Sequence, residues 1–183
     1  MLMTGKRQLW VNLMVFLSLM LLPFRAVSAQ EGPFQVFFNP DPAYLNIDEG
    51  INTNVTVNLA NAVDIYSFTI IVEYDESVAT LIDYEYFDLF GGINCPYQVN
   101  DPGRFAIGCT SWEGTSFYGD APLLSLTFER VAIGTTPLTF TRATFSNSVP
   151  EPINPVALDN GELNVVGTFN LLYLPLIVNT MEG

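Results

Sequence analysis

The sequence contains no histidine, and its single lysine, Lys6, stands near the start. Without an imidazole, Ser-His-Asp and Cys-His nucleophile systems, His-ligated zinc and His general bases are excluded. Any catalysis would rest on carboxylates, tyrosine and cysteine. Positive charge is scarce as well. Beyond residue 30 only Arg104, Arg130 and Arg142 oppose 19 Asp and Glu, a balance of 3 − 19 = −16. That surface repels a phosphate backbone and an anionic bilayer, which argues against nucleic-acid and membrane-surface binding. Two cysteines are too few for a disulfide framework, and Cys95 and Cys109 do not have the CxxC spacing of a redox pair. There is no triplet period and no heptad run, and with 49% hydrophobic against 14% charged residues the chain is not a disordered tail.

Residues 1–29 read as a secretory signal peptide. Lys6 and Arg7 supply the positive start, residues 9–22 are mostly apolar, and Val27-Ser28-Ala29 offers small residues for cleavage after Ala29. The apolar run is shorter than the roughly 20 residues a membrane span requires. Export would carry the cysteines into an oxidising compartment. Removal leaves 183 − 29 = 154 residues, the size of one domain, which can bury a core without a metal or a disulfide framework.

From Phe34 onward the signals are those of strands: short β-branched and aromatic runs separated by Pro, Gly, Asn and Asp. The readable runs cover residues 34–38, 44–47, 54–60, 65–74, 78–87, 96–99, 104–112, 123–131, 137–145 and 162–166. No segment reads as a helix. Alternation is clearest over residues 65–74, where Tyr66, Phe68, Ile70, Val72 and Tyr74 form one face and Ser67, Thr69, Ile71 and Glu73 the other. Leu124, Leu126 and Phe128 likewise oppose Ser125, Thr127 and Glu129, and Val55, Val57 and Leu59 oppose Thr56 and Asn58. Each strand has one wet face, so the pattern predicts a sandwich of two sheets, each with one outer surface in solvent.

A turn at Asn100-Asp101-Pro102-Gly103 predicts a hairpin of residues 96–100 with 104–112. A three-residue loop makes partner numbers sum to 204 and places Cys95 opposite Cys109, a register that permits a disulfide. A two-residue loop makes the sum 205 and turns the two cysteines to opposite faces. The turn residues fit both.

Several segments together resemble the cohesin domains of bacterial cellulosomes and related exported proteins. They are Asn54-Val-Thr-Val-Asn-Leu-Ala-Asn61, followed by Ile65-Tyr-Ser-Phe-Thr-Ile-Ile-Val-Glu-Tyr-Asp75, then Gly119-Asp-Ala-Pro-Leu-Leu-Ser-Leu-Thr-Phe128, and Asp159-Asn-Gly-Glu-Leu-Asn-Val165. The resemblance spans residues 34–166 and departs from the family at Glu76, where many cohesins have proline, and at the cysteine pair. It implies an all-β fold, a nine-stranded jelly-roll β-sandwich of two antiparallel-dominated sheets over residues 30–166. It also implies a non-catalytic, secreted or surface-associated module that docks a dockerin on a flat outer sheet face, within polysaccharide-degrading or surface assemblies. The docking strands correspond to residues 65–73, 96–99, 104–112 and 137–145. The implied partner-binding residues are Ser67, Thr69, Ile71 and Glu73, with Phe105 and Ile107 as an apolar platform. No cofactor is implied on this chain, and calcium would belong to the dockerin. Side-chain size alone gives the opposite parity in residues 104–112, burying Phe105, Ile107 and Cys109 and exposing Ala106, Gly108 and Thr110.

Carbohydrate binding is the alternative function, with Trp112, Phe117 and Tyr118 as a stacking platform in the segment 112–119. A glycosidase would require two carboxyls about 5 Å apart in a cleft, and the acids here sit singly or in turns. No 12-residue loop with alternating oxygen ligands marks a calcium site, so no metal ligands and no catalytic residues are assigned. Residues 167–183 carry a second apolar run at 169–178, too short to span a bilayer and interrupted by Pro175. It resembles the Tyr-Leu-Pro-Leu endings of some exported bacterial proteins, which implies sorting or surface retention; an added strand on the sandwich is the other reading.

Overall fold

A computed structural model describes residues 32–46, 50–154 and 156–167. The signal peptide expected at residues 1–29 and the apolar run at 169–178 lie outside the described residues. All regular structure within them is strand, in the order β1 (Gln35–Asn39), β2 (Ala43–Asn46), β3 (Asn52–Ile65), β4 (Ser67–Glu73), β5 (Ala79–Tyr86), β6 (Ile93–Asp101), β7 (Arg104–Ser111), β8 (Phe117–Arg130), β9 (Gly134–Ser146), β10 (Ala157–Asp159) and β11 (Gly161–Val166). Among the described residues no helix is long and apolar enough to cross a membrane.

The strands make two sheets, β10-β1-β3-β8-β5 and β2-β11-β9-β4-β7-β6. β1 pairs with β10 and β2 with β11 in parallel, and the other pairings are antiparallel. This is the jelly-roll sandwich expected from the sequence, with eleven strands instead of nine. Ten overlap the readable runs. The eleventh, β10, has three exposed residues and no alternation, and its parallel pairing to β1 is what defines it. Between β1 and β2 the chain changes sheets at Pro40 and Pro42, which cannot donate to a ladder. Asp41 Oδ1 accepts the Glu162 N–H at 3.0 Å and ties this corner to β11.

The period-2 patterns place the core between the sheets. Val55, Val57 and Leu59 of β3, Leu124, Leu126 and Phe128 of β8, and Phe68, Ile70 and Val72 of β4 are all buried. A fully buried Leu, Ile or Phe contributes roughly 1.5–3 kcal/mol, so the parity of each strand is strongly set. Aromatic pairs join the two sheets. Phe38 stacks on Phe140 at 4.3 Å, Tyr74 meets Phe128 edge-on at 5.2 Å, and Tyr84 lies 4.8 Å from Phe105. Gly161 allows β11 to approach this packing, because a Cβ there would stand 2.9 Å from Phe38 Cβ. Between β5 and β6, at one side of the sandwich, Tyr84 Oη donates to Gln98 Oε1 at 2.7 Å and Asn100 Nδ2 donates to the Leu81 carbonyl at 3.3 Å.

The β6–β7 hairpin combines the two loop readings. Asp101 pairs with Arg104, Val99 with Ala106 and Tyr97 with Gly108, a sum of 205 that corresponds to a two-residue loop at Pro102-Gly103. Between Asn94 and Tyr97 the register shifts, and Asn94 then pairs with Thr110 in the 204 register. The bulge takes up one residue where Pro96 has no N–H to give the ladder. Cys95 thereby comes to the core side of β6, and it is disulfide-bonded to Cys109, with 4.0 Å between their Cα atoms.

Candidate functional site

The stretches that the resemblance assigned to docking, β4, β6, β7 and β9, are neighbours in one sheet in the order β9-β4-β7-β6. Their outer face is built from four rows: Ser146–Ser67–Thr110–Asn94, Thr144–Thr69–Gly108–Tyr97, Arg142–Ile71–Ala106–Val99 and Thr139–Glu73–Arg104–Asp101. Two rows are neutral and mostly hydroxyl-bearing or small. The third sets Arg142 beside the apolar Ile71, Ala106 and Val99, and the fourth carries Glu73, Arg104 and Asp101.

Alternation along β4 turns Ser67, Thr69, Ile71 and Glu73 outward while Phe68, Ile70 and Val72 enter the core. Ser67 and Ser146 share a hydroxyl–hydroxyl hydrogen bond of 2.6 Å across the β4–β9 seam. Thr69 stands between two shallow depressions. One, of about 300 Å³, is bordered by Pro96, Tyr97, Gly108 and Thr110; the other, of about 240 Å³, by Thr144, Ser146, Pro150 and Pro152. Gly108 floors the first because it has no side chain, and a Cβ there would come within 3.3 Å of Thr69 Oγ1 and 3.4 Å of Tyr97 Cβ.

Phe105 and Ile107 are not on this face. Both are fully buried, paired across the sheet with Val72 and Ile70 on its core side. The parity given by side-chain size is the observed one, and the apolar platform expected from the resemblance is corrected accordingly. Two large apolar side chains on a sheet face gain more by burial than by exposure, and one register step exchanges all faces of a strand. The outward residues of β7 are Arg104, Ala106, Gly108 and Thr110. The apolar surface of the face is therefore the half-buried Ile71 and Val99, together with Tyr97.

The face holds two functional candidates that sequence reasoning passed over, Arg104 and Arg142. Arg104 has the acidic Glu73 and Asp101 as its cross-strand neighbours. Arg142 pairs with Ile71 and reaches the outer face through a bulge in β9, which pairs Ile71 with Arg142 but Val72 with Phe140. The signal for a bulge was present in Thr139-Phe140-Thr141-Arg142-Ala143-Thr144-Phe145, where the spacing of the two phenylalanines is odd and cannot keep both on one face of a regular strand.

Of the alternative platform, Trp112 is 74% exposed and Tyr118 61% exposed, whereas Phe117 opens β8, half-buried and packed against the core. Phe117 is thus withdrawn from a stacking surface because it faces Ile65 in the β3–β8 ladder. At the same end of the sandwich Asp64 Oδ2 accepts the Ser148 hydroxyl at 3.0 Å, and the nearby hydroxyls of Ser116 and Ser148 hold its carboxyl below the ordinary carboxylate range against the opposing effect of burial. Among the described residues no group of three or more Cys, Asp and Glu is arranged to hold a metal ion.

No protein-family model matches the chain, and no curated protein matches it. Solved structures do. A non-cellulosomal cohesin from the hyperthermophilic archaeon Archaeoglobus fulgidus has a TM-score of 0.61 at 19% identity, over 74% of this chain and 92% of that one. A chain of the Coh-OlpC–Doc435 cohesin–dockerin complex from Clostridium thermocellum has a TM-score of 0.62 at 13% identity, over 74% and 95%. A chain of the complex between the sixth cohesin of Acetivibrio cellulolyticus scaffoldin B and a mutant Cel5 dockerin has a TM-score of 0.59 at 21% identity, over 74% and 100%. The chain has the cohesin fold.

Proposed function

We propose that this chain is an exported, non-catalytic binding module that docks a dockerin-type protein on the outer face of β9-β4-β7-β6. The observation that carries the reading is the face itself: four adjacent strands presenting small, hydroxyl-bearing side chains, with Thr69 between two depressions that can receive a partner's side chains. Solved structures of the same fold include cohesins in complex with dockerins. In this reading residues 1–29 direct export and residues 30–166 are the module. Residues 167–183 serve sorting or surface retention, and the setting is an extracellular polysaccharide-degrading or surface assembly. Ser67, Thr69, Ile71 and Glu73 contact the partner. The chain itself needs no cofactor, and calcium belongs to the dockerin.

The test is a pull-down from the source organism's secreted proteins with residues 30–183 as bait, with and without a calcium chelator, alongside a Thr69→Arg bait. Capture of a protein that is lost both on chelation and with Thr69→Arg is the expected result. Retention of polysaccharide alone, or of nothing, overturns the reading.

The exposure of Trp112 and Tyr118 supports the second reading, carbohydrate binding by ring stacking at the end of the sandwich. Under it, Trp112→Ala abolishes retention on insoluble polysaccharide while Thr69→Arg has no effect.

A further inference from the structure

The cations are unevenly distributed over the molecule. Of the three arginines beyond residue 30, two, Arg104 and Arg142, stand on one sheet face. On β9-β4-β7-β6 that face also carries two acids, Glu73 and Asp101, so its four rows sum to 2 − 2 = 0; the exposed Glu162 of β11 borders them beside Pro137, and the whole balance of −16 lies outside the four rows. It is a neutral window in an acidic protein.

Within the window the two arginines differ. Arg104 is half-buried and has Glu73 and Asp101 as its ladder neighbours on either side, though among the described residues it closes no ion pair with them. Arg142 is exposed, has Ile71 as its β4 neighbour instead of a carboxylate, and among the described residues makes no ion pair. Its outward aim depends on the β9 bulge. The inward series Thr136, Leu138 and Phe140 would continue to Arg142 in a regular strand; with the extra residue, Thr141 and Arg142 are both exposed and Phe145 returns to the core. Bulges recur where a side chain is re-aimed for function. An exposed guanidinium beside a half-buried aliphatic side chain fits a carboxylate next to an apolar group, since the planar fork binds a carboxylate through two parallel hydrogen bonds.

We propose that Arg142 and Ile71 form the specificity centre of the docking face and select a partner that presents an Asp or Glu beside an aliphatic side chain. This rests on the docking reading above and adds to it the chemistry of the partner. Elsewhere the acidic surface repels such a partner, so the neutral window also fixes where it can land.

The test uses residues 30–183 as immobilised baits, as wild type and as the Arg142→Ala, Arg142→Glu and Thr69→Arg variants, against the secreted proteins of the source organism. Captured proteins are identified by mass spectrometry, and the captured module is expressed for titration calorimetry. Thermal melts check that each variant is folded. A module held by the wild type is expected to bind Arg142→Ala at least about thirty-fold more weakly, as for an interface hot spot, and Arg142→Glu more weakly still. Changing one carboxylate of that module to lysine restores binding to Arg142→Glu and weakens binding to the wild type. If a module is lost with Thr69→Arg but binds Arg142→Glu as tightly as the wild type, the docking face stands and the assignment of Arg142 falls. If binding survives Thr69→Arg, or nothing is captured, both fall.

Discussion

Asp75 closes the turn after β4 with hydrogen bonds on both sides. Its N–H donates to Thr136 Oγ1 at 2.7 Å, and its Oδ1 accepts the Ser77 hydroxyl at 2.7 Å and the Ser77 N–H at 2.9 Å. The bonds from Ser77, hydroxyl first and N–H second, hold the carboxyl below the ordinary carboxylate range, with burial opposing them. A group whose folded pKa is depressed binds its proton more weakly in the native state. It therefore stabilises the fold above its unfolded value of about 4, and that contribution is lost as pH falls through the lower folded value. The difference in melting temperature between wild type and Asp75→Ala is expected to be full at pH 6 and to narrow below about pH 4. A difference that stays constant or widens between pH 6 and pH 2 would contradict this. Taking the difference matters, because acidification also relieves repulsion among the other acids and moves the wild-type melting temperature in the opposite sense.

At the scale of elements, the β6–β7 hairpin shows why spacing alone left the cysteines open. The turn residues accommodate both loop lengths, and the register at the turn is one residue away from the register at the disulfide. A bulge at Pro96 reconciles them, and a residue that cannot donate is the one mark this bulge leaves in the sequence. The disulfide spans 14 residues of sequence, so the chain-entropy model assigns it about 3 kcal/mol. Replacing both cysteines by alanine is expected to lower the denaturant midpoint by a corresponding amount, with reductant shifting the wild type alone. Equal midpoints for the oxidised wild type and the double variant would refute it. The parity of β7 has a related lesson. Burial of Phe105, Ile107 and Cys109 was legible from their size, and the family pattern pointed the other way. The core-facing residues of β4 decided, since Val72, Ile70 and Phe68 oppose those three across the ladder.

Over the whole molecule the two outer faces divide the charge. The β10-β1-β3-β8-β5 sheet turns Asn54, Thr56, Asn58, Ser125, Thr127 and the acids Asp83, Glu85 and Glu129 to solvent, while Arg104 and Arg142 lie on the opposite sheet. Stacked sheets are about 10 Å apart before side chains are counted, which is already close to a Debye length at physiological salt. Neutralising Asp83, Glu85 and Glu129 together is therefore expected to leave affinity for the docked module within about two-fold, against the large losses at Thr69 and Arg142. A strong effect on affinity, read by calorimetry, would place the docking site on the wrong sheet.

The sequence by itself determined the fold class and the parity of the clearly alternating strands. Local periodicity sets which side chains must be buried, and that sufficed for the outward Ser67, Thr69, Ile71 and Glu73. Only the tertiary structure decided which strands lie side by side, where Pro96 and Thr141 shift the register, and that Arg142 and Ile71 are neighbours though 71 residues apart in sequence. Cross-strand pairing is a long-range property, and a single bulge reverses every face beyond it, so no local pattern in β9 could place its arginine beside an isoleucine of β4.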